Sequence, residues 1–135
     1  MQKYILLFFG LLLFYSCLNS NDAASDYKYE YIAIDKVKTP ESFSFGKTDT
    51  ITLNYSLPNS CYSFDEIYYE VEGNKRIVAV TAYVVLNEVC TQTITKEEMK
   101  FAVNVNQQED YIFKFFKGKD KDGENIFEEV TIPVE

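Results

Sequence analysis

The sequence predicts an all-β fold, an antiparallel β-sandwich of about seven strands, and three observations support this prediction. From residue 27 onward the chain is rich in Tyr, Phe, Val, Ile and Thr, which favour a pleated, half-buried surface. Apolar and polar residues alternate over several stretches, as in strands with one buried face. Turn-forming residues separate these stretches roughly every 8–12 residues, and no long amphipathic helix or internal repeat is visible.

The strand pattern is clearest in residues 50–57, where Ile51, Leu53 and Tyr55 share one face. Residues 76–86 are apolar on both faces, so we expect that strand to be buried on both. The other predicted strands are residues 29–38, 64–72, 99–105, 111–115 and 130–134. For the last four of these strands we also predict which side chains point inward. They are Ile67, Tyr69 and Val71 in residues 64–72, Met99, Phe101, Val103 and Val105 in residues 99–105, Tyr111, Phe113 and Phe115 in residues 111–115, and Val130, Ile132 and Val134 in residues 130–134.

Two reversals between strands have recognisable turn residues. Gly73-Asn74 stands between two strands and predicts a two-residue hairpin, because Gly adopts a positive φ without steric cost. Residues 118–123 (GKDKDG) supply a second reversal near the end of the chain. Both turns support strands that are neighbours in sequence and run antiparallel.

The first residues resemble an export signal. Lys3 precedes an uncharged apolar run of 12 residues, 4–15, which is shorter than the roughly 18–20 residues of a membrane span. Residues 13–17 (LFYSC) resemble a lipobox, in the loose form of Bacteroidetes-type bacteria. This resemblance implies a signal peptide at residues 1–16 that is cleaved before Cys17, the site of lipid attachment. A secretory signal that is uncleaved or cut elsewhere is the alternative.

After the signal we expect a flexible tether at residues 17–26, starting with the lipidated Cys17, and one domain at residues 27–135. The expected location is the bacterial cell envelope. Leu18 after the cysteine does not resemble the Asp retention signal of some bacteria, which favours the outer membrane. The membrane is thus an expected partner through the lipid anchor.

The cysteine count agrees with this location. If Cys17 carries lipid, Cys61 and Cys90 remain, and an exported pair favours a disulfide. The chain contains no His, and two thiolates alone do not make a tetrahedral zinc site, so we predict no metal site there and no cofactor.

Two segments resemble parts of immunoglobulin-like domains. Residues 45–53 (FGKTDTITL) look like a glycine turn that feeds the second strand, and residues 106–113 (NQQEDYIF) look like the corner before the sixth strand. In that fold the tyrosine, here Tyr111, often bonds back to the turn backbone. No cysteine follows Tyr111, so Cys61 and Cys90 would join loops or strand ends instead. The whole chain resembles small uncharacterised Bacteroidetes-type lipoproteins with such a domain.

The composition argues against several functions. With a net charge of −8 and no basic stripe, the chain is not expected to bind nucleic acid. The absence of His removes the commonest general base, so we predict no catalytic residue and no enzyme activity. Asp120, Asp122 and Glu124 alternate as calcium ligands do, but the other ligands are missing, and we interpret the segment as a solvated hairpin tip.

The aromatic content leaves two functions open. The preferred interpretation is a non-catalytic binding or structural module with a protein partner, and the alternative is a carbohydrate-binding accessory of a glycan-handling system. Tyr and Phe total 22 residues, whereas Trp, the strongest stacking side chain, is absent. By strand parity Phe64, Tyr68 and Phe116 point away from the core, so we name them as candidate ligand-face residues.

Overall fold

Residues 26–135, the part of the chain that the structure describes, form two β-sheets in a computed structural model. The strands are β1 (Tyr27–Ile32), β2 (Ile34–Lys38), β3 (Thr48–Leu57), β4 (Tyr62–Glu72), β5 (Lys75–Val85), β6 (Thr95–Asn104), β7 (Tyr111–Lys119) and β8 (Asn125–Ile132). Within these residues no helix is long and apolar enough to span a membrane. The predicted all-β sandwich is confirmed, with eight strands.

One sheet has five strands and the other has three. In the three-stranded sheet, β3 lies between β2 and β6. In the five-stranded sheet, β4 pairs with β5 along one edge of β5. The opposite edge of β5 is shared by β1, beside residues 80–85, and β7, beside residues 75–78. β7 runs parallel to β5, whereas the other pairs among the strands of residues 26–135 are antiparallel, and β8 pairs with β7.

The core lies between the two sheets and contains most of the alternating side chains that the sequence predicts. The prediction was wrong for Tyr69 and Val71 near the end of β4, which are 39% and 58% exposed. Ile51, Leu53 and Tyr55 of β3 are buried against the five-stranded sheet. From β5 and β7 come Val78, Val80, Ala82, Tyr111, Phe113 and Phe115. Ile67, Met99, Phe101, Val130 and Val134 lie at its margin. The periodicity of the sequence therefore identified which face of these strands points inward.

The predicted strand at residues 29–38 is in fact two strands in two different sheets. β1 ends at Ile32 and β2 begins at Ile34, so the chain crosses from one sheet to the other at Ala33. Ile32 and Ile34 are both buried, which fixes this crossing in the core. Residues 31–34 (YIAI) are a continuous apolar run, which is equally compatible with a single buried strand, so the sequence did not reveal the crossing.

The predicted turns and the tyrosine corner are present. Gly73 has a φ of 60° in the two-residue loop that joins β4 to β5. The hydroxyl of Tyr111 accepts a hydrogen bond from the backbone N–H of Asn106 at 3.1 Å and donates one to its side-chain oxygen at 3.2 Å. The corner between β6 and β7 is thus held by a buried side chain from the core.

The predicted disulfide links Cys61 and Cys90, whose Cα atoms are 5.5 Å apart. Cys61 lies just before β4, and Cys90 lies in the loop between β5 and β6. Two hydrogen bonds support the link: the backbone N–H of Thr91 donates to the Ser60 hydroxyl at 2.9 Å, and the backbone N–H of Ser60 donates to the Thr91 carbonyl at 3.1 Å. The bond therefore joins a strand end to a long loop, as expected.

Candidate functional site

The outer face of the five-stranded sheet, which points away from the core, carries a group of aromatic side chains. Residues directly opposite in a ladder point to the same side, and the pairs Tyr29 with Tyr83 and Phe116 with Phe127 both lie on this outer side. The full set, which we call the aromatic face, is Tyr27, Tyr29, Tyr31, Tyr68, Tyr83, Phe116 and Phe127. An outer sheet face that meets only water is normally polar, so this composition marks the face as a candidate binding surface.

The rings of the aromatic face meet edge to face. The Tyr27 and Tyr29 rings lie 5.6 Å apart at an angle of 88°, and those of Tyr31 and Tyr68 lie 5.5 Å apart at 63°. Phe116 lies between Tyr31 and Phe127, with ring centroids 5.8 Å and 6.0 Å away. Tyr29 and Tyr31 nevertheless remain 58% and 47% exposed. Mutual contact thus holds the rings in place while ring surface stays available to a ligand.

A groove of about 530 Å³ lies on this face, and three carboxylates are among its lining residues. It is lined by the three tyrosines Tyr29, Tyr31 and Tyr68, by Thr81, and by the carboxylates Glu30, Asp65 and Glu66. Asp65 and Glu66 stand together because β4 has a bulge at this point: Phe64 pairs with Ala82 and Glu66 with Thr81, which leaves Asp65 as an extra residue.

The carboxylates around the groove differ in their partners. Glu30 forms an ion pair with Lys28 and accepts a hydrogen bond from the Tyr62 hydroxyl at 2.8 Å. The hydrogen bond from Lys28 lowers the pKa of Glu30. Within residues 26–135 the Asp65 and Glu66 carboxylates form no ion pair and accept no hydrogen bond. They are therefore the charges left for a ligand.

Negative charge also affects the tyrosines of the groove. The Tyr68 hydroxyl donates a hydrogen bond to Glu70 at 2.5 Å, and this bond raises the pKa of Tyr68 to about 12. The pKa of Tyr29 is raised chiefly by Tyr27, with smaller contributions from Asp65 and Glu66. Both tyrosines thus remain neutral over the physiological pH range, with their ring faces intact as apolar and π surfaces.

The three aromatics named from the sequence do not form one exposed platform. Phe64 points into the core, where its ring lies 6.1 Å from that of Tyr55, because the bulge at Asp65 reverses the strand parity between Phe64 and Tyr68. Phe116 does point outward but is only 3% exposed, since Tyr31 and Phe127 cover it. Tyr68 alone of the three lines the groove, half-buried.

The tyrosines of β1 were missed as candidate residues. Tyr27, Tyr29 and Tyr31 alternate with Lys28 and Glu30, a period of two that would have placed all three on one face. Polar residues at the alternate positions could have indicated that the aromatic side was the buried one. Only the pairing of β1 with β5 shows that the tyrosines point outward.

The acidic hairpin tip between β7 and β8 is organised by its own side chain. The carboxylate of Asp120 accepts hydrogen bonds from the backbone N–H groups of Asp122 and Glu124 at 2.8 Å and 2.9 Å. This is an ordinary use of Asp in a turn. Over residues 26–135 no cluster of three or more potential ligands is placed to hold a metal ion. The predicted lipid site Cys17 lies outside the described residues.

Comparison with known proteins gives one match. A family model described as ORF11 beta-sandwich domain matches residues 51–131, which is more than half of the chain. The matched stretch begins within β3 and ends within β8, so it includes Asp65, Glu66 and Tyr68 but not β1. No curated protein and no solved structure matches the chain.

Proposed function

We propose that this chain, which belongs to the ORF11 beta-sandwich domain family, is a lipoprotein of the bacterial cell envelope that displays a non-catalytic binding module. In this proposal the N-terminal signal, which ends before Cys17, directs export, and the lipid on Cys17 anchors the chain in the outer membrane. The sandwich supplies a rigid scaffold, and the aromatic face supplies the contact surface. The observation that carries this proposal is the exposure of Tyr29 and Tyr31 on a sheet face.

A protein partner fits this face better than a flat sugar surface does. Tyrosine is enriched in protein interfaces, where its ring buries apolar area while its hydroxyl remains hydrogen-bonded. A sugar ring stacks best on coplanar aromatics, whereas Tyr27 and Tyr29 stand at 88° and Tyr31 and Tyr68 at 63°. We therefore retain the protein-binding interpretation and treat glycan binding as the alternative that the experiment must exclude.

The anchor and the aromatic face lie at neighbouring points of the chain. β1 begins at Tyr27, and the proposed tether ends at residue 26. Nine residues after Cys17 reach at most about 30 Å when extended. The face would thus be displayed close to the membrane, where its partner would also have to be.

Position-specific photo-crosslinking in the producing cells tests the proposal. A photoreactive residue replaces Tyr29 on the aromatic face or, as the control, Ala102, an exposed position on the outer side of β6. We expect a defined protein adduct from position 29 only, and its loss when Tyr31→Ser is added. Equal adducts from both positions, or an adduct that Tyr31→Ser leaves unchanged, would refute the binding face.

A glycan array decides the alternative. The proposed module should show no glycan binding that depends on the aromatic face. Specific binding to a glycan, lost in Tyr68→Ala and retained in Phe45→Ala, an exposed aromatic outside the aromatic face, would overturn the protein-binding proposal in favour of the carbohydrate-binding accessory.

A further inference from the structure

We infer that the groove between Tyr29, Tyr31 and Tyr68 binds an arginine or lysine side chain from an extended segment of a partner protein. This inference rests on the proposed function and specifies the chemistry of the partner. The groove combines three tyrosine rings with the carboxylates of Asp65 and Glu66. No Lys or Arg is among the residues that line it.

The chemistry of the walls suits a cation. A positive group above the face of a tyrosine ring is attracted by the quadrupole of the ring, and the attraction grows as the cation loses water. A carboxylate beside the ring adds a charge-assisted hydrogen bond, and the planar guanidinium of arginine can serve both at once. A neutral apolar ligand would use the rings but leave both carboxylates beside it without a partner.

The neighbouring charges explain why Asp65 and Glu66 are the available pair. Several other charges of the five-stranded sheet are matched: Lys28 with Glu30, Lys114 with Glu129, and Lys117 with Glu128. Within residues 26–135 Glu72 of β4 also forms no ion pair, but it does not line the groove. Glu70 accepts the hydrogen bond of Tyr68. The exposed Asp65 and Glu66 have no such partner within residues 26–135. The two unpaired carboxylates therefore favour binding of a cation from outside this domain in the groove.

The shape of the surface favours an extended chain over a small ion. A second groove, of about 690 Å³, runs along the outer edge of β1 and shares Tyr29, Glu30 and Tyr31 with the first. The two grooves therefore adjoin at β1. A peptide segment can lie across β1 and insert one basic side chain between the rings, whereas a single ion would occupy a small part of this surface.

The test compares two peptides on the full-length chain in a neutral detergent. One is Gly-Gly-Arg-Gly-Gly with blocked ends, and the other carries citrulline, which is neutral and nearly the same shape, in place of arginine. Binding is followed by the NMR ring signals of isotope-labelled tyrosine. We expect the arginine peptide to shift the signals of Tyr29, Tyr31 and Tyr68 and the citrulline peptide to leave them unchanged.

A charge variant with a matched control locates the effect. The double variant Asp65→Asn, Glu66→Gln should weaken binding of the arginine peptide about tenfold or more, which corresponds to ~1.4 kcal/mol. The control Glu41→Gln, Glu109→Gln removes the same charge from exposed positions elsewhere and should change binding less than twofold at constant ionic strength. Equal binding of both peptides, or equal weakening by both double variants, would overturn the inference.

The outcomes separate this inference from the proposed function. If the crosslink at position 29 forms as proposed while the arginine peptide does not bind, the aromatic face is a protein-binding surface and the cationic chemistry is wrong. If the arginine peptide binds as expected but no adduct forms in cells, the chemistry of the groove stands and the proposed function fails.

Discussion

The guanidinium of Arg76 lies over the ring of Tyr111, with its central carbon 4.7 Å from the ring centroid. Arg76 is only 5% exposed and has no carboxylate partner within residues 26–135. Its nitrogens instead donate to the carbonyls of Gly73 and Lys75, at 2.7 Å and 2.8 Å, and to the side-chain oxygen of Gln107 at 2.7 Å. One buried cation thus connects the β4–β5 hairpin to the corner before β7.

This arrangement predicts that the variant Arg76→Lys is destabilised although the charge is kept. A lysine ammonium cannot reach all three oxygens or lie flat on the ring, so we expect the free energy of unfolding to fall by about 2 kcal/mol. Urea unfolding measures the change, with Lys75→Arg at the exposed neighbouring position as the control. An Arg76→Lys variant as stable as the parent would show that the three hydrogen bonds contribute little.

The variant Tyr111→Phe should lose the tyrosine corner without creating a cavity. Removing the hydroxyl leaves the N–H of Asn106 without its acceptor, although water can partly replace it at this exposed turn. We therefore expect a cost of about 1 kcal/mol, or a melting temperature lower by roughly 4 °C. Tyr83→Phe on the outer face is the control and should shift the melting temperature little. Equal shifts in the two variants would contradict the special role of the corner.

The disulfide should contribute substantially to stability. Cys61 and Cys90 enclose a loop with a sequence separation of 29 residues, and removing such a bond costs about 2–5 kcal/mol. The double variant Cys61→Ala, Cys90→Ala should show this loss in urea unfolding and should no longer respond to reductant. Free thiols at both positions in the exported protein would refute the bond in the native molecule.

Alkaline titration should separate Tyr68 from the exposed tyrosines. Its pKa is raised from 10.0 to about 12, so the neutral form is favoured in the folded state. The stabilisation is fully present below pH 10 and is lost as the pH rises towards about 12. The ultraviolet difference titration between the parent and Tyr68→Phe should show this late ionisation, and Glu70→Gln should move it towards 10. A midpoint near 10 in the parent would contradict the hydrogen bond to Glu70.

The sequence also predicts how the chain is anchored. Cys17→Ser should release the protein from the detergent phase or block its processing, because the proposed lipid is attached to the sulfur of this residue. Mass spectrometry of the mature N-terminus should find a lipidated Cys17 in the parent. Ser20→Ala, a change in the tether, should retain the lipid and the membrane fraction. An unmodified N-terminus that begins elsewhere would rule the lipoprotein out.

The sequence predicted the core far better than the binding face, for a physical reason. Burial of one strand face against the other sheet makes every second residue apolar. The sequence shows this alternation clearly in Ile51, Leu53 and Tyr55 of β3. A bulge is one residue that breaks the period, and nothing in the composition of β4 marks Asp65 as that residue. The parity argument therefore placed Phe64 on the wrong side.

The sequence also did not predict which distant strands pair with each other. The aromatic face exists because β1 lies beside β5 and because β7 carries Phe116 to the same side. These pairings join segments roughly 40 to 60 residues apart in the chain, and no local pattern encodes them. The hairpin at Gly73, by contrast, joins adjacent strands and was predicted from two residues.

The shared edge of β5 constrains the order in which the chain can fold. β1 and β7 occupy successive halves of that edge, and β1 leaves it at Ala33. β1 is the first strand of the sandwich in the chain, so during synthesis or export it can reach β5 long before β7 does. If β1 continued along β5 beyond Ile32, it would occupy the positions that β7 needs. The crossing at Ala33 therefore leaves half of the edge free for β7, which follows much later in the chain, and lengthening β1 should slow folding and expose β7 to pairing between molecules.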